Sequence, residues 1–232
     1  MKQLVIIPTY NERENTEAIL AAVFALEVDV DILVVDDNSP DGTGQLVADL
    51  QKKWNRLHLL SRPGKRGLGR AYLAAFRWAL EKGYDIMVEM DADFSHRPED
   101  LRSLLAAIPS CDFAVGSRYT KGGSTKNWGL IRKLISRGGS LYARCILGYK
   151  LWDWTGGFNV WRRQVLEGID LDQVRSEGYS FQIELKYRSL RRGFRVLEVP
   201  ILFEDRRVGK SKMSPKIAFE AFYRVWVMRA TS

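Results

Sequence analysis

Short apolar runs recur through the first half of the chain, and longer stretches with apolar residues every three or four positions separate them. The runs are QLVII (3–7), DILVVD (31–36), LHLL (57–60), DIMVEM (85–90) and DFAVG (112–116). They are short, rich in β-branched residues and in places apolar throughout, which predicts strands covered on both faces. Residues 12–26, 43–54, 68–83 and 98–108 carry helical spacing. Pro98 followed by Glu99 and Asp100 is a good helix start. Strand–helix alternation of this kind predicts an α/β fold, a mainly parallel sheet flanked by helices on both faces in a single domain.

The second half is less regular. Residues 127–148 read as helical segments around a break at Gly138-Gly139. LWDWTGGFNVWRR (151–163) reads as a glycine-rich aromatic loop entering another element. Residues 180–193 predict an amphipathic helix, and 194–206 an edge strand, because Pro200 has no N–H for a central ladder. Residues 214–229 predict an aromatic helix, so 1–213 form the main domain and 214–232 a C-terminal amphipathic extension. No repeat or linker divides the chain further.

In parallel sheets ligands bind beyond the carboxyl ends of the strands. The polar segments there are PTYNE (8–12), DDNSPDGT (36–43) and DADFSH (91–96). Asp91 and Asp93 offer hard oxygen ligands suited to Mg²⁺ or Mn²⁺, and two carboxylates leave room for substrate phosphates on the ion. Asp36 and Asp37 end another strand, where an acidic side chain can accept from a ribose or base. Asp41 and Gly42 fit the turn chemistry, leaving Asp37 to face a ligand. RPGKRGLGRA (62–71) is either a phosphate-facing loop or a plain basic helix entry.

Charge and composition narrow the partners. The net charge of +8 favours anions: phosphates, nucleic acid or an anionic membrane. Arg118, Arg132, Arg137, Arg206, Lys210 and Lys212 could neutralise phosphates or remain solvated surface charges. The acidic strand ends argue against a nucleic-acid-binding protein, since without a metal they repel phosphates. The two cysteines, Cys111 and Cys145, predict reduced thiols rather than a disulfide framework. His58 and His96 lack metal-pair spacing, and neither GxSxG nor HExxH is present, which disfavours hydrolases. The N-terminus lacks the organisation of a signal peptide, and no window reaches the roughly 18–20 apolar residues of a membrane span. The expected location is therefore cytoplasmic, with any membrane contact peripheral.

VIIPTYNERENTEAIL, VVDDNSPDGTG, GLGRAY, MDADFSHRPEDL, GSRYTKGG, KLISRGGSLYAR, TGGFNVWRR and GYSFQIEL follow one another in order from about residue 3 to 213. Together they resemble the dolichol- or polyprenol-phosphate mannosyltransferases of glycosyltransferase family 2, above all the bacterial polyprenol monophosphomannose synthase type. The resemblance implies a GT-A (Rossmann-like) fold, a DxD motif, and metal-dependent transfer of mannose from GDP-mannose to a polyprenyl phosphate. It implies that Pro8, Tyr10, Glu12, Val35 and Asp37 line the nucleotide pocket and that Asp91, Ala92 and Asp93 form the metal–diphosphate motif. Arg118, Arg206 and Lys212 then lie near the donor sugar and phosphates. Arg118 is shared with Arg132 and Ser136 at the acceptor phosphate. Two positions depart from the pattern: Ser95 stands where some relatives carry Gln, and Lys210 where relatives often carry Glu.

The chemistry is consistent with that reading. The acceptor is a phosphate monoester with a second pKa near ~6, ionised at neutral pH, so no protein base is required. Arg118, Arg132 and Arg206 would orient phosphates for in-line attack, and a single displacement predicts inversion. A lipid acceptor would draw stretches 127–148 and 214–229 to the membrane surface, on its cytoplasmic face, the alternative being ordinary packing against the core. A UDP-sugar donor with the same acceptor, and a catalytically silent partner subunit, are the remaining readings.

Overall fold

The apolar runs form strands because both of their faces are covered. Leu4, Ile6, Leu33, Val35 and Met87 are buried on one side of the sheet. Their neighbours Val5, Ile7, Ile32, Val34 and Val88 are buried on the other. A period-two chain with both sets apolar has no exposed face to offer, and helices must pack on each.

The computed structural model describes residues 1–205 and 215–230, with side chains of the last segment from 222 onward. The chain runs β1 (Gln3–Thr9), α1 (Arg13–Phe24), β2 (Asp31–Asp36), α2 (Thr43–Leu50), β3 (Leu57–Ser61), α3 (Leu68–Glu81), β4 (Ile86–Glu89) and α4 (Asp100–Ala107). It continues as β5 (Phe113–Ser117), β6 (Ser124–Lys126), α5 (Leu130–Leu147), β7 (Asn159–Arg162), α6 (Arg163–Gly168), α7 (Gly178–Arg191), β8 (Val196–Pro200), β9 (Leu202–Glu204) and α8 (Pro215–Ala230). Seven strands make the main sheet in the order β3-β2-β1-β4-β7-β5-β8, and β6 and β9 make a small second sheet. All pairs in the main sheet are parallel except those of β7, which runs antiparallel between β4 and β5.

Register positions the site. Pro8 pairs with Val35 and Thr9 with Asp36, while Ile6 pairs with Glu89. Two residues beyond that last pair, Asp91 stands level with Pro8. The ends of β1, β2 and β4 thus open onto one rim. Each following loop contains a left-handed residue: Asn11 (φ 59), Asn38 (φ 56) and Phe94 (φ 61). Asn tolerates that conformation, whereas for Phe it costs of order 1–3 kcal/mol, a strain characteristic of functional turns.

The structure departs from the periodicity at α5 and in 194–206, and it completes the reading of 151–163. Helix α5 is continuous through Gly138 and Gly139, so the expected break is absent. Two interior glycines cost about 1 kcal/mol each. Buried Ser140, Ala143 and Leu147 anchor the following turns, and left-handed Gly148 (φ 80) ends the helix. The segment 151–163 ends in the central strand β7, where Trp161 stacks on Phe113 with centroids 4.9 Å apart. The expected strand 194–206 divides. Pro200 closes β8 at the sheet edge, as its missing N–H requires, and β9 crosses to pair with β6.

Trp161 is fully buried and central to the sheet. Trp161→Ala is expected to cost about 3–5 kcal/mol, read as a lower urea midpoint at unchanged slope.

Candidate active site

The first two strand-end loops are built from their own carboxylates. Asp36 accepts from the Thr9 hydroxyl (3.1 Å), the Ser39 N–H (3.0 Å) and the Ser39 hydroxyl (2.6 Å). Asp41 accepts from the Thr43 N–H (2.9 Å), the Thr43 hydroxyl (2.6 Å) and the Arg13 N–H (3.1 Å), tying α1 to α2. Both therefore serve the turns. Asp37 is different: it is buried and meets Arg62 at 2.6 Å. Burial raises its carboxyl pKa, with Arg62 acting in the opposite direction. The Lys65 ammonium lies over the Tyr10 ring at 4.3 Å. The 62–67 loop thus folds against the Tyr10 and Asp37 pocket, with left-handed Gly67 (φ 93) leading into α3.

One strand further into the sheet, the loop after β4 carries Asp91-Ala92-Asp93. Asp93 is buried and accepts the Ser95 N–H at 3.0 Å, whereas the Asp91 side chain is 36% exposed and can meet a ligand. The Asp91 N–H donates to Nδ1 of His96 at 3.0 Å. His96 is buried, stacked on Phe158 (4.8 Å) and edge-on to Phe203 (5.4 Å). Burial lowers its pKa and favours the neutral ring, the form whose Nδ1 can accept. Both Asp91 and Asp93 act electrostatically on His96 and on the buried Tyr72 phenol. Among the described residues no third His, Cys, Asp or Glu completes a metal cluster. A pair of hard oxygen donors, one exposed, fits Mg²⁺ or Mn²⁺ with remaining positions left to water or phosphate.

The opposite rim is basic and aromatic. Arg118, at the end of β5, is buried beneath Tyr119, Trp128 and Phe203, each 5.1–5.5 Å from its guanidinium. Its Nε and Nη2 donate to the two oxygens of Asp153 at 2.7 and 2.6 Å, and Nη2 also reaches Thr155 at 2.8 Å. That edge of the guanidinium is committed inside the protein. Arg132 lies over Trp128 at 4.1 Å and meets Asp205 at 2.7 Å, with 21% of its side chain exposed. One helical turn on, Ser136 accepts from the Tyr119 hydroxyl at 2.7 Å. The outer surface of the same turns carries Leu130, Ile131, Leu134 and Ile135, 49–78% exposed.

A buried polar spine joins the two rims. Lys186 is fully buried, and its ammonium donates to the carbonyls of Asp153 (3.1 Å), Trp154 (3.2 Å) and Gly156 (2.7 Å). Asn159 donates to Glu89 (2.6 Å), Gln182 (2.8 Å) and the Gly156 carbonyl (3.3 Å). A Cβ on Gly156 would stand 3.1 Å from Asp153 Oδ1 and 3.2 Å from the Gly116 carbonyl, so glycine permits this close approach. Burial raises the Glu89 carboxyl and lowers the Lys186 ammonium. At Asp153, burial pushes the carboxyl up, but Arg118 outweighs it and the net shift is downward.

The structure gathers Pro8, Tyr10, Glu12, Val35 and Asp37 at the ends of β1 and β2, with Asp91, Ala92 and Asp93 beside them. Arg118, Arg132 and Ser136 lie on the aromatic rim; Arg206, Lys210 and Lys212 lie outside the described residues. Sequence reading missed Asp153, Lys186, Asn159 and the role of His96. A signal existed for one set: Gln182, Lys186 and Ser189 recur at four and three on a helix that is otherwise buried, where unpaired polar groups are costly.

A sheet with acidic strand ends on one rim, a DxD turn with Asp91 at the surface and a basic wall opposite fits a sugar-transferring enzyme of the GT-A class. The sequence matches the profile of glycosyl transferase family 2 over residues 4–170, and the chain belongs to that family. It is 49% identical to the polyprenol monophosphomannose synthase of Mycolicibacterium smegmatis over 98% of this chain and 88% of that one. It is 48% identical to the undecaprenyl-phosphate mannosyltransferase of Micrococcus luteus, over 97% and 93%. The fold is similar to that of a Pyrobaculum calidifontis mannosyltransferase solved with GDP-Man and Mn²⁺. The TM-score is 0.59 at 18% identity, over 99% of this chain and 73% of that one.

Removing Arg118 leaves Asp153 buried and unpaired. Arg118→Ala is expected to lower stability by about 3–5 kcal/mol in urea unfolding, so its activity must be read at a temperature where the variant is folded.

Proposed function

We propose that the protein transfers mannose, with inversion, from GDP-mannose to a polyprenyl monophosphate at the membrane surface. The observation that carries this reading is helix α5. Arg132 and Ser136 face the aromatic rim, while Leu130, Ile131, Leu134 and Ile135 on the same turns face solvent. A phosphate site and a bare apolar surface on adjacent faces suit an acceptor that is a phosphate on a lipid. The names of the two similar bacterial enzymes support the same acceptor class and sugar, and the ligands of the Pyrobaculum enzyme support the donor and a divalent ion.

In this reading Tyr10, Glu12 and Asp37 hold the nucleoside beside Pro8 and Val35, with Arg206 and Lys212 near the donor phosphates. Asp91 and Asp93 hold Mg²⁺ or Mn²⁺, which when bound would offset the charge developing on the departing diphosphate. Ala92 between them is buried in the core cluster and anchors the turn. Arg132 exchanges its half-exposed partner Asp205 for the acceptor phosphate. Arg118 contributes a fixed positive charge beneath the acceptor, its orientation set by Asp153. The acceptor dianion is its own nucleophile, so the residues supply orientation and charge rather than a base. No helix among the described residues is long and apolar enough to cross a membrane. The exposed faces of α5 and α8 then lie on the cytoplasmic bilayer surface.

A transfer assay with labelled GDP-mannose, UDP-glucose and UDP-N-acetylglucosamine and a short polyprenyl phosphate tests the donor. Mannosyl product is expected only from GDP-mannose, and exclusive use of a UDP-sugar would replace the donor assignment. Asp93→Ala should reduce transfer at least about 100-fold with an unchanged circular dichroism spectrum. Arg132→Ala should raise KM for the lipid phosphate about tenfold or more while leaving KM for GDP-mannose within about twofold. Equal losses toward both substrates would remove its acceptor role.

A further inference from the structure

On the flank away from the acidic turn, α7, α8 and the segment before α7 enclose an open cavity of about 460 Å³. Arg175, Arg188, Arg191, Arg192 and Arg224 line it. Arg188 is engaged by Glu184 at 2.8 Å, but among the described residues no carboxylate pairs with Arg175, Arg191, Arg192 or Arg224. The two acids on the wall are satisfied internally. Glu184 accepts the N–H groups of Arg175 (3.3 Å) and Ser176 (3.0 Å) as well as Arg188, and Asp170 accepts from Asp172 and Gln173. Ser176 on the same wall is 3% exposed, and its hydroxyl is buried without a hydrogen-bond partner. Four guanidinium groups around a single cavity match an oxyanion with several acceptor oxygens.

The surroundings identify the kind of anion. Arg224 reaches the cavity from α8, whose Phe222 and Trp226, each 51% exposed, lie on the other side of the helix. Phe222 stacks on Tyr142 of α5 at 4.2 Å, so the aromatic face of α8 continues into the exposed apolar face of α5. An apolar strip beside an arginine-lined hollow has the layout of a bilayer surface, with acyl chains against one and headgroups against the other.

We propose that this cavity binds the phosphate headgroup of an anionic membrane phospholipid, at a site separate from the acceptor phosphate, and so fixes the orientation of the protein on the bilayer. The proposal rests on the membrane-surface part of the function given above and not on its sugar chemistry.

Vesicle flotation tests it, with phosphatidylcholine vesicles containing or lacking phosphatidylglycerol. The natural chain, Arg192→Glu/Arg224→Glu and the control Lys52→Glu/Lys53→Glu would be compared at the same ionic strength. The natural chain should bind the phosphatidylglycerol vesicles, the arginine pair should lose roughly 30-fold or more, and the control should stay within about threefold. Equal losses would mean general charge attraction and overturn the site. Inorganic phosphate provides the second arm. If, without vesicles, it raises the melting temperature of the natural chain but not of the arginine pair, while the two float equally well, the site takes a soluble anion and the lipid assignment fails. The arginine pair should retain transfer to a short acceptor in detergent. Absence of transfer by the natural chain would sink the proposed reaction while leaving the vesicle result intact.

Discussion

Asp153 is a carboxylate with no solvent exposure, and the shape of the basic, aromatic rim depends on satisfying it. It accepts the Arg118 N–H and both donors of one guanidinium edge, along with the Gly156 N–H. The carbonyls around it are gathered by Lys186 from α7. Desolvating two opposite charges is tolerable only when geometry and further hydrogen bonds are complete, and here they are. Such a pair adds little net stability over apolar packing, but it leaves Arg118 a single orientation. The loop 153–156, the end of β5 and the face of α7 are thereby held in one arrangement.

That rigidity has an electrostatic purpose in the cleft. The acidic turn at Asp91 and Asp93 and the basic rim at Arg118 and Arg132 stand on opposite sides of His96 and Phe203, whose rings separate them. Without such a spacer the two signs would neutralise one another by direct pairing. With it, the acidic turn and the arginines keep separate partners, Asp153 for Arg118 and Asp205 for Arg132. The neutral His96 ring suits this position, because it fixes the Asp91 backbone without adding charge to either side.

The surface divides in a related way. Basic groups near α5 and α8 border exposed Leu, Ile, Phe and Trp side chains that a solvated domain would be expected to bury. An apolar area of this kind is stable when something covers it, and in the proposed function its position next to Arg132 and Ser136 would bring the lipid and its phosphate together.

By itself, the sequence determined the alternation of strands and helices, the edge position of Pro200, and the three acidic segments at one rim. Each is a local property: periodicity encodes which faces are covered, and a residue that follows a parallel strand is delivered to the same edge of the sheet whatever its partners. The turn role of Asp41 and the placement of Asp37 apart from it were legible for the same reason. Only the tertiary structure decided that Arg118 closes on Asp153, 35 residues away, and that Lys186 faces a loop 30 to 33 residues earlier. It also decided that α5 runs unbroken through its glycine pair and that β7 enters the sheet antiparallel. Those outcomes depend on which distant surfaces meet, and no local pattern specifies that. A buried charge announces only that it needs a partner; the packing of the whole chain selects which one.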